Sequence, residues 1–130
     1  MIATSPSRAP GIADADPAVI DEDHLARMTL GDRALEREVL EIFVRQTVIM
    51  LERIGKADPA IAAAAAHTLV GSASGIGAGR VALAAERLEQ AARAKAAAAE
   101  FDCAVEALKA AAVEASAAIA ARLGSALRDH

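Results

Sequence analysis

The C-terminal stretch of this chain decides the fold class. From Phe101 to Leu123 apolar residues recur at spacings of three and four: Phe101, Val105, Leu108, Ala112, Ala115, Ile119 and Leu123. A stripe of that period runs down one face of an α-helix, and it escapes water only against other helices. The same period appears upstream in Leu40, Phe43, Thr47, Met50, Leu51 and Ile54, and again in Val81, Ala84, Ala85, Leu88 and Ala92. Between these stripes alanine dominates, and the chain has two Phe, no Trp and no Tyr. Such a mixture favours helix and offers little β-branched or aromatic material for a sheet. The reading is all-α. At 130 residues the chain is one domain, large enough for a single core without disulfides or metal.

Turn and cap residues divide the helices. Asp21 to Met28 reads as a short helix with Leu25 and Met28 on one side, and Gly31-Asp32 as a break followed by an N-cap. The second helix is expected from about Arg33 to Ile54. It carries a second stripe, Leu35, Ile42 and Ile49, every seven residues on another side. Two apolar faces imply two burials: the expectation is that the first helix packs on this second stripe, the alternative a partly exposed docking surface. Gly55-Lys56-Ala57 ends the helix, and Asp58-Pro59 starts the third as N-cap and first-turn Pro. The third helix should end near Gly75 or Gly77, with a fourth from about Ala78. The stretch Ala91 to Glu100 holds neither Gly nor Pro, so a turn there is inferred only because a bundle requires one. The expected architecture is an antiparallel up-down four-helix bundle with a short extra N-terminal helix. Residues 1–20 are expected to be a disordered leader, 21–125 the bundle, and 126–130 a tail.

Several function classes fall away on composition. A net charge of −4, scattered basic residues and missing stacking aromatics argue against nucleic-acid binding. Cys103, alone, has no internal disulfide partner; on its Ala-rich run it is expected to be a small buried hydrophobe. Residues 1–20 contain no continuous apolar stretch and are not a secretory signal. No formal charge occurs between Pro59 and Gly79, a span long enough for a bilayer. That span is mostly Ala, Gly, Ser and Thr, too weakly apolar to drive insertion. A cytoplasmic protein with no membrane contact is expected.

The third helix carries His67. At 100° per residue its neighbours are Ala60, Ala63, Ala64, Val70, Gly71 and Ser74, and the opposite face holds Ala65, Leu69, Ser72 and Ile76. The apolar stripe therefore leaves the imidazole pointing outward from a surface stripped of bulk. Gly71 costs about 1 kcal/mol in mid-helix relative to Ala, which a merely tolerated histidine does not explain. Metal ligation lacks partners: His24, His130 and Cys103 are distant in sequence, and no acidic residue lies three or four positions away. A hydrolase base needs an orienting carboxylate and a pocket, and the sequence displays neither. Nucleophilic catalysis remains. An exposed imidazole, with a pKa of about 6.5, is mostly neutral at cytoplasmic pH and has a free lone pair. Attack on phosphorus also needs in-line access, which small neighbours allow, and charge neutralisation, which a partner must bring.

The run His67-Thr68-Leu69-Val70-Gly71-Ser72-Ala73-Ser74, with Ile76-Gly77-Ala78, Val81 and Leu88-Glu89, resembles the histidine-containing phosphotransfer (HPt) domain family. The resemblance covers roughly Asp21 to Leu123 and includes Leu40, Phe43 and the Lys56-Ala57-Asp58 turn. It implies that His67 is a phosphoacceptor, passing a phosphoryl group between receiver-domain aspartates in a phosphorelay. It also implies receiver domains and a hybrid histidine kinase as partners. On this view the chain is a monomeric carrier rather than an enzyme. It has no autokinase activity and binds no cofactor, with Mg²⁺ supplied by the receiver. Ala63, Ala64, Val70, Gly71 and Ser74 would surround the site.

One position departs from the family pattern. Lys is usual three residues after the histidine, and this chain has Val70. That removes a charge-assisted contact of about 1.5–3 kcal/mol, for which Arg80, beyond the Gly-rich turn, is a candidate replacement. Val70 also motivates an alternative, a non-catalytic adaptor that docks a receiver or kinase domain. Gly75-Ile76-Gly77-Ala78-Gly79 follows a helix and lacks the Lys-Ser/Thr of a nucleotide loop, so it reads as a turn. A kinase dimerisation fragment is a third reading. Thr68 stands where such fragments usually place an acidic residue, and four long helices in one chain argue against it.

Overall fold

The structure, a computed structural model, describes residues 17–56 and 58–128. Most of the expected leader, residues 1–16, lies outside the described residues, as do Ala57 and the last two positions. Among the described residues there are five helices and no strand: α1 (Glu22–Met28), α2 (Arg33–Lys56), α3 (Pro59–Ile76), α4 (Gly79–Arg93) and α5 (Ala98–Arg128).

Side chains at the helix starts satisfy N–H groups that have no partner within the helix. The Asp21 carboxylate accepts from the His24 N–H, that of Asp32 from Leu35, and that of Asp58 from Ile61. Gly77, in the left-handed region at φ 83°, stops α3, and the Ala78 N–H returns to the Ala73 carbonyl at 2.8 Å. The same device ends α4 without a glycine. Lys95 takes φ 53°, and the Ala96 N–H reaches the Ala91 carbonyl at 3.0 Å. The turn between the last two helices is therefore Ala94 to Ala97, built from residue types that give no local signal.

From α2 onward successive helices pack side by side, and α2 meets α5 to close the ring. The core is Leu40, Phe43, Met50 and Ile54 of α2, Leu69 and Ile76 of α3, Val81 and Leu88 of α4, and Leu108 and Ile119 of α5. Thr47 lies in the buried stripe because its hydroxyl donates to the Phe43 carbonyl at 2.7 Å. Helix α3 is long and apolar enough to cross a membrane by length and composition. Its apolar flank, with Ala62, Ala66, Leu69 and Ala73, lies buried within the bundle.

Three expectations are corrected. The short α1 does not cover the second stripe of α2: it packs on α3, with His24 Nε2 3.1 Å from the Gly75 carbonyl oxygen. A seven-residue helix is about 10 Å long, whereas Leu35 to Ile49 spans about 21 Å. Leu35, Ile42 and Ile49 remain 39%, 45% and 46% exposed. Cys103 is exposed rather than buried, because it falls off the inward stripe of α5. It lines a groove between α4 and α5 with Arg87 and Glu100. Finally, residues 17–20 sit against the bundle, with Val19 and Ile20 on the core and Asp21 N–H donating to the Gly77 carbonyl at 2.8 Å. At the other end α5 continues past residue 125 to Arg128.

Candidate functional site

His67 stands midway along α3 on the flank turned toward α4. Its side chain is 71% exposed. The Nδ1 atom lies 3.2 and 3.1 Å from the two carboxylate oxygens of Glu89, which α4 brings alongside. Only 16% of the Glu89 side chain is exposed, and Arg93, one turn further along α4, donates from Nε to Glu89 Oε2 at 2.9 Å. Burial alone pushes the Glu89 carboxyl up. Hydrogen bonds from Arg93 and His67, and the charges of those groups, outweigh it and hold Glu89 below the usual carboxylate range.

An ionised carboxylate only accepts hydrogen bonds, so His67 Nδ1 must carry the proton between them. In the neutral ring the other nitrogen, Nε2, then keeps an unshared pair. The orienting carboxylate that the sequence did not display is Glu89. Its separation of 22 residues from His67 becomes a contact only when α3 and α4 pair. Leu88-Glu89 belongs to the run that carries the family resemblance, and Glu89–Arg93 is an i,i+4 pair on one helix, but neither pattern points to His67.

The other expected residues separate into two groups. Ala64, Gly71 and Ser74 are exposed around His67, whereas Ala63 is buried and Val70 is half-buried against the core. A Cβ at Gly71 would meet nothing within 4 Å, so packing inside the chain does not demand glycine there. The surface is simply left flat. Arg80 is not brought to His67. Its Nε donates to the Pro17 carbonyl at 2.8 Å and its Nη1 to Glu114 at 2.8 Å. It also stands nine residues before Glu89, about 13 Å along the helix axis.

Apolar surface reaches this site from α2. Gln46 lies between Ile42 and Ile49 on the exposed flank and accepts from the Ser72 hydroxyl of α3 at 2.7 Å. That bond fixes the flank beside α3, where Thr68, Ala64 and Gly71 lead across to His67. Ile61, 51% exposed, extends the patch toward the start of α3. Among the described residues no group of three or more His, Cys, Asp or Glu could hold a metal ion.

The family model of the Hpt domain fits residues 38–127, most of the bundle. Neither a curated protein nor a solved structure matches the chain.

Proposed function

Because this chain belongs to the Hpt domain family, the histidine phosphotransfer domains of two-component phosphorelays, we propose that His67 is its phosphoacceptor. The observation that supports this most is the bond from His67 Nδ1 to Glu89, which leaves Nε2 free on an exposed ring. In the transfer, the Nε2 lone pair attacks the phosphorus of a receiver's aspartyl phosphate. A P–N bond forms, the P–O bond breaks, and its electron pair returns to the aspartate carboxylate. The ring becomes a cation with Nδ1 still protonated, and the Glu89 carboxylate faces that new charge.

The receiver domain docks over the patch formed by Ile42, Ile49, Thr68, Ala64 and Gly71. It brings the Mg²⁺ that offsets phosphoryl charge. A hybrid histidine kinase stands upstream. The carrier works as a monomer in the cytoplasm, all four long helices coming from one chain.

Val70 favours a second reading, an adaptor that docks without turnover. Intact-mass analysis separates the two, after mixing the protein with a panel of phosphorylated receiver domains and Mg²⁺. A carrier gains one phosphoryl group that is lost in acid and absent in His67→Gln. Binding to a receiver without any gain identifies the adaptor.

A further inference from the structure

The missing lysine raises a question of charge. A phosphoryl group on His67 would stand on α3, which carries no formal charge from Pro59 to Gly79. Arg80 is bonded elsewhere, Arg87 lies in the groove on the α5 side of α4, and Arg45 and Arg53 belong to α2. Helices α2 and α4 both pack on α3, and the carboxylate bonded to His67 comes from α4. Among the described residues, Arg93 alone of the cations is joined to the site by hydrogen bonds. Its Nε and the Nδ1 of His67 approach the same oxygen, Glu89 Oε2, at 2.9 and 3.1 Å. The two nitrogens are thus at most about 6 Å apart, which sets the guanidinium beside the imidazole whose far nitrogen, Nε2, would carry the phosphoryl group.

We propose that Arg93 supplies the cation that meets the phosphoryl group on His67, in the role that Val70 vacates. Guanidinium has five N–H donors, and among the described residues only Nε is engaged. The Arg93 side chain is 60% exposed, so its outer nitrogens are free to swing toward an anion beyond the ring while Nε stays on Glu89. During transfer, charge spreads over the three equatorial phosphoryl oxygens, and a planar donor pair matches two of them. Atoms balance as before, since Arg93 only donates hydrogen bonds and keeps its protons. The inference rests on His67 being the phosphoacceptor.

The test uses phosphoramidate, a small phosphodonor that needs no partner protein, on the full chain. Wild type, Arg93→Gln, Arg93→Lys, Glu89→Gln and the Glu89→Gln/Arg93→Gln double variant are compared by intact mass and by ³¹P resonance of the phosphohistidine. Loss of a charge-assisted contact should slow phosphorylation about tenfold in Arg93→Gln. It should also move the ³¹P signal, and Arg93→Lys should recover most of the rate. The slowing must persist in the Glu89→Gln background, because the cation acts on the phosphoryl group rather than through Glu89. An Arg93→Gln rate equal to wild type overturns the inference. So does an effect that vanishes once Glu89 is neutral, which would make Arg93 only a support for Glu89. Failure of the underlying reading looks different: wild type itself then takes no phosphoryl group on His67. Thermal unfolding by circular dichroism shows whether each variant is folded.

Discussion

Glu89 holds the Nδ1–H of His67 across the α3–α4 interface, and one arginine, Arg93, holds Glu89. The pair sets which ring nitrogen faces solvent. Glu89→Gln should lose that control, because an amide can donate to Nδ1 as well as accept from it. Two-dimensional ¹⁵N spectra of the imidazole should show mixed tautomers where wild type shows one. Phosphorylation should slow about tenfold, with the negative charge facing the imidazolium gone.

The same carboxylate predicts a pH dependence. Glu89 lies below its ordinary value in the folded protein. Its contribution to stability is therefore complete above the unfolded-chain value, about 4.3, and is lost as pH falls through the lower folded value. Denaturant unfolding of wild type and Glu89→Gln should differ by a gap that persists above the ordinary carboxylate range and closes as pH falls below it. A gap that widens on acidification would reverse the sign argued here.

Val70→Lys is informative in two backgrounds. Val70 is half-buried, and a lysine stem can lie along the same surface while its ammonium reaches water beside His67. In wild type the change should alter the phosphorylation rate by less than about threefold, Arg93 already supplying a cation. In Arg93→Gln it should restore most of the lost rate. A large gain in wild type would instead mark the chain as a degenerate carrier.

Ile49→Asp tests the docking patch. Ile49 is 46% exposed, so stability should shift by no more than about 0.5 kcal/mol. Phosphoramidate labelling should be unchanged, while transfer from a phosphorylated receiver should fall about tenfold or more because an apolar contact becomes a buried charge. Equal loss with both donors would place the effect in the bundle rather than at the interface.

Two glycines should respond in opposite directions. Gly71→Ala, with nothing within 4 Å of its new Cβ, should stabilise the helix by about 0.5–1 kcal/mol yet hinder receiver docking. Gly77→Ala meets a left-handed backbone, and its Cβ would lie 3.0 Å from Asp21 Cβ and O. It should cost about 1–2 kcal/mol or more and lower Tm on the order of 10 °C. Thermal melts of both variants check the contrast.

The helix boundaries were readable because local chemistry sets them. Asp58-Pro59 starts α3 and Gly77 ends it, and the three- and four-residue spacing of Leu40, Phe43, Leu108 and Ile119 marks what turns inward. The end of α4 was not readable, since Lys95 occupies a left-handed position that ordinarily shows itself as glycine. The fate of Leu35, Ile42 and Ile49 was equally out of reach. Their spacing says that they share a face, but only the length and direction of α1 decide whether anything covers it.

Sequence by itself determined an all-helical bundle with one histidine on a bare outward face, because periodicity and small neighbours act within a single helix. Tertiary structure decided the chemistry of that histidine. Helix pairing brought Glu89 and Arg93 to it, tied Arg80 to Pro17 and Glu114, and set the α2 stripe beside it. Contacts between residues far apart in the chain depend on how helices are rotated and stacked against one another, and no local spacing encodes that.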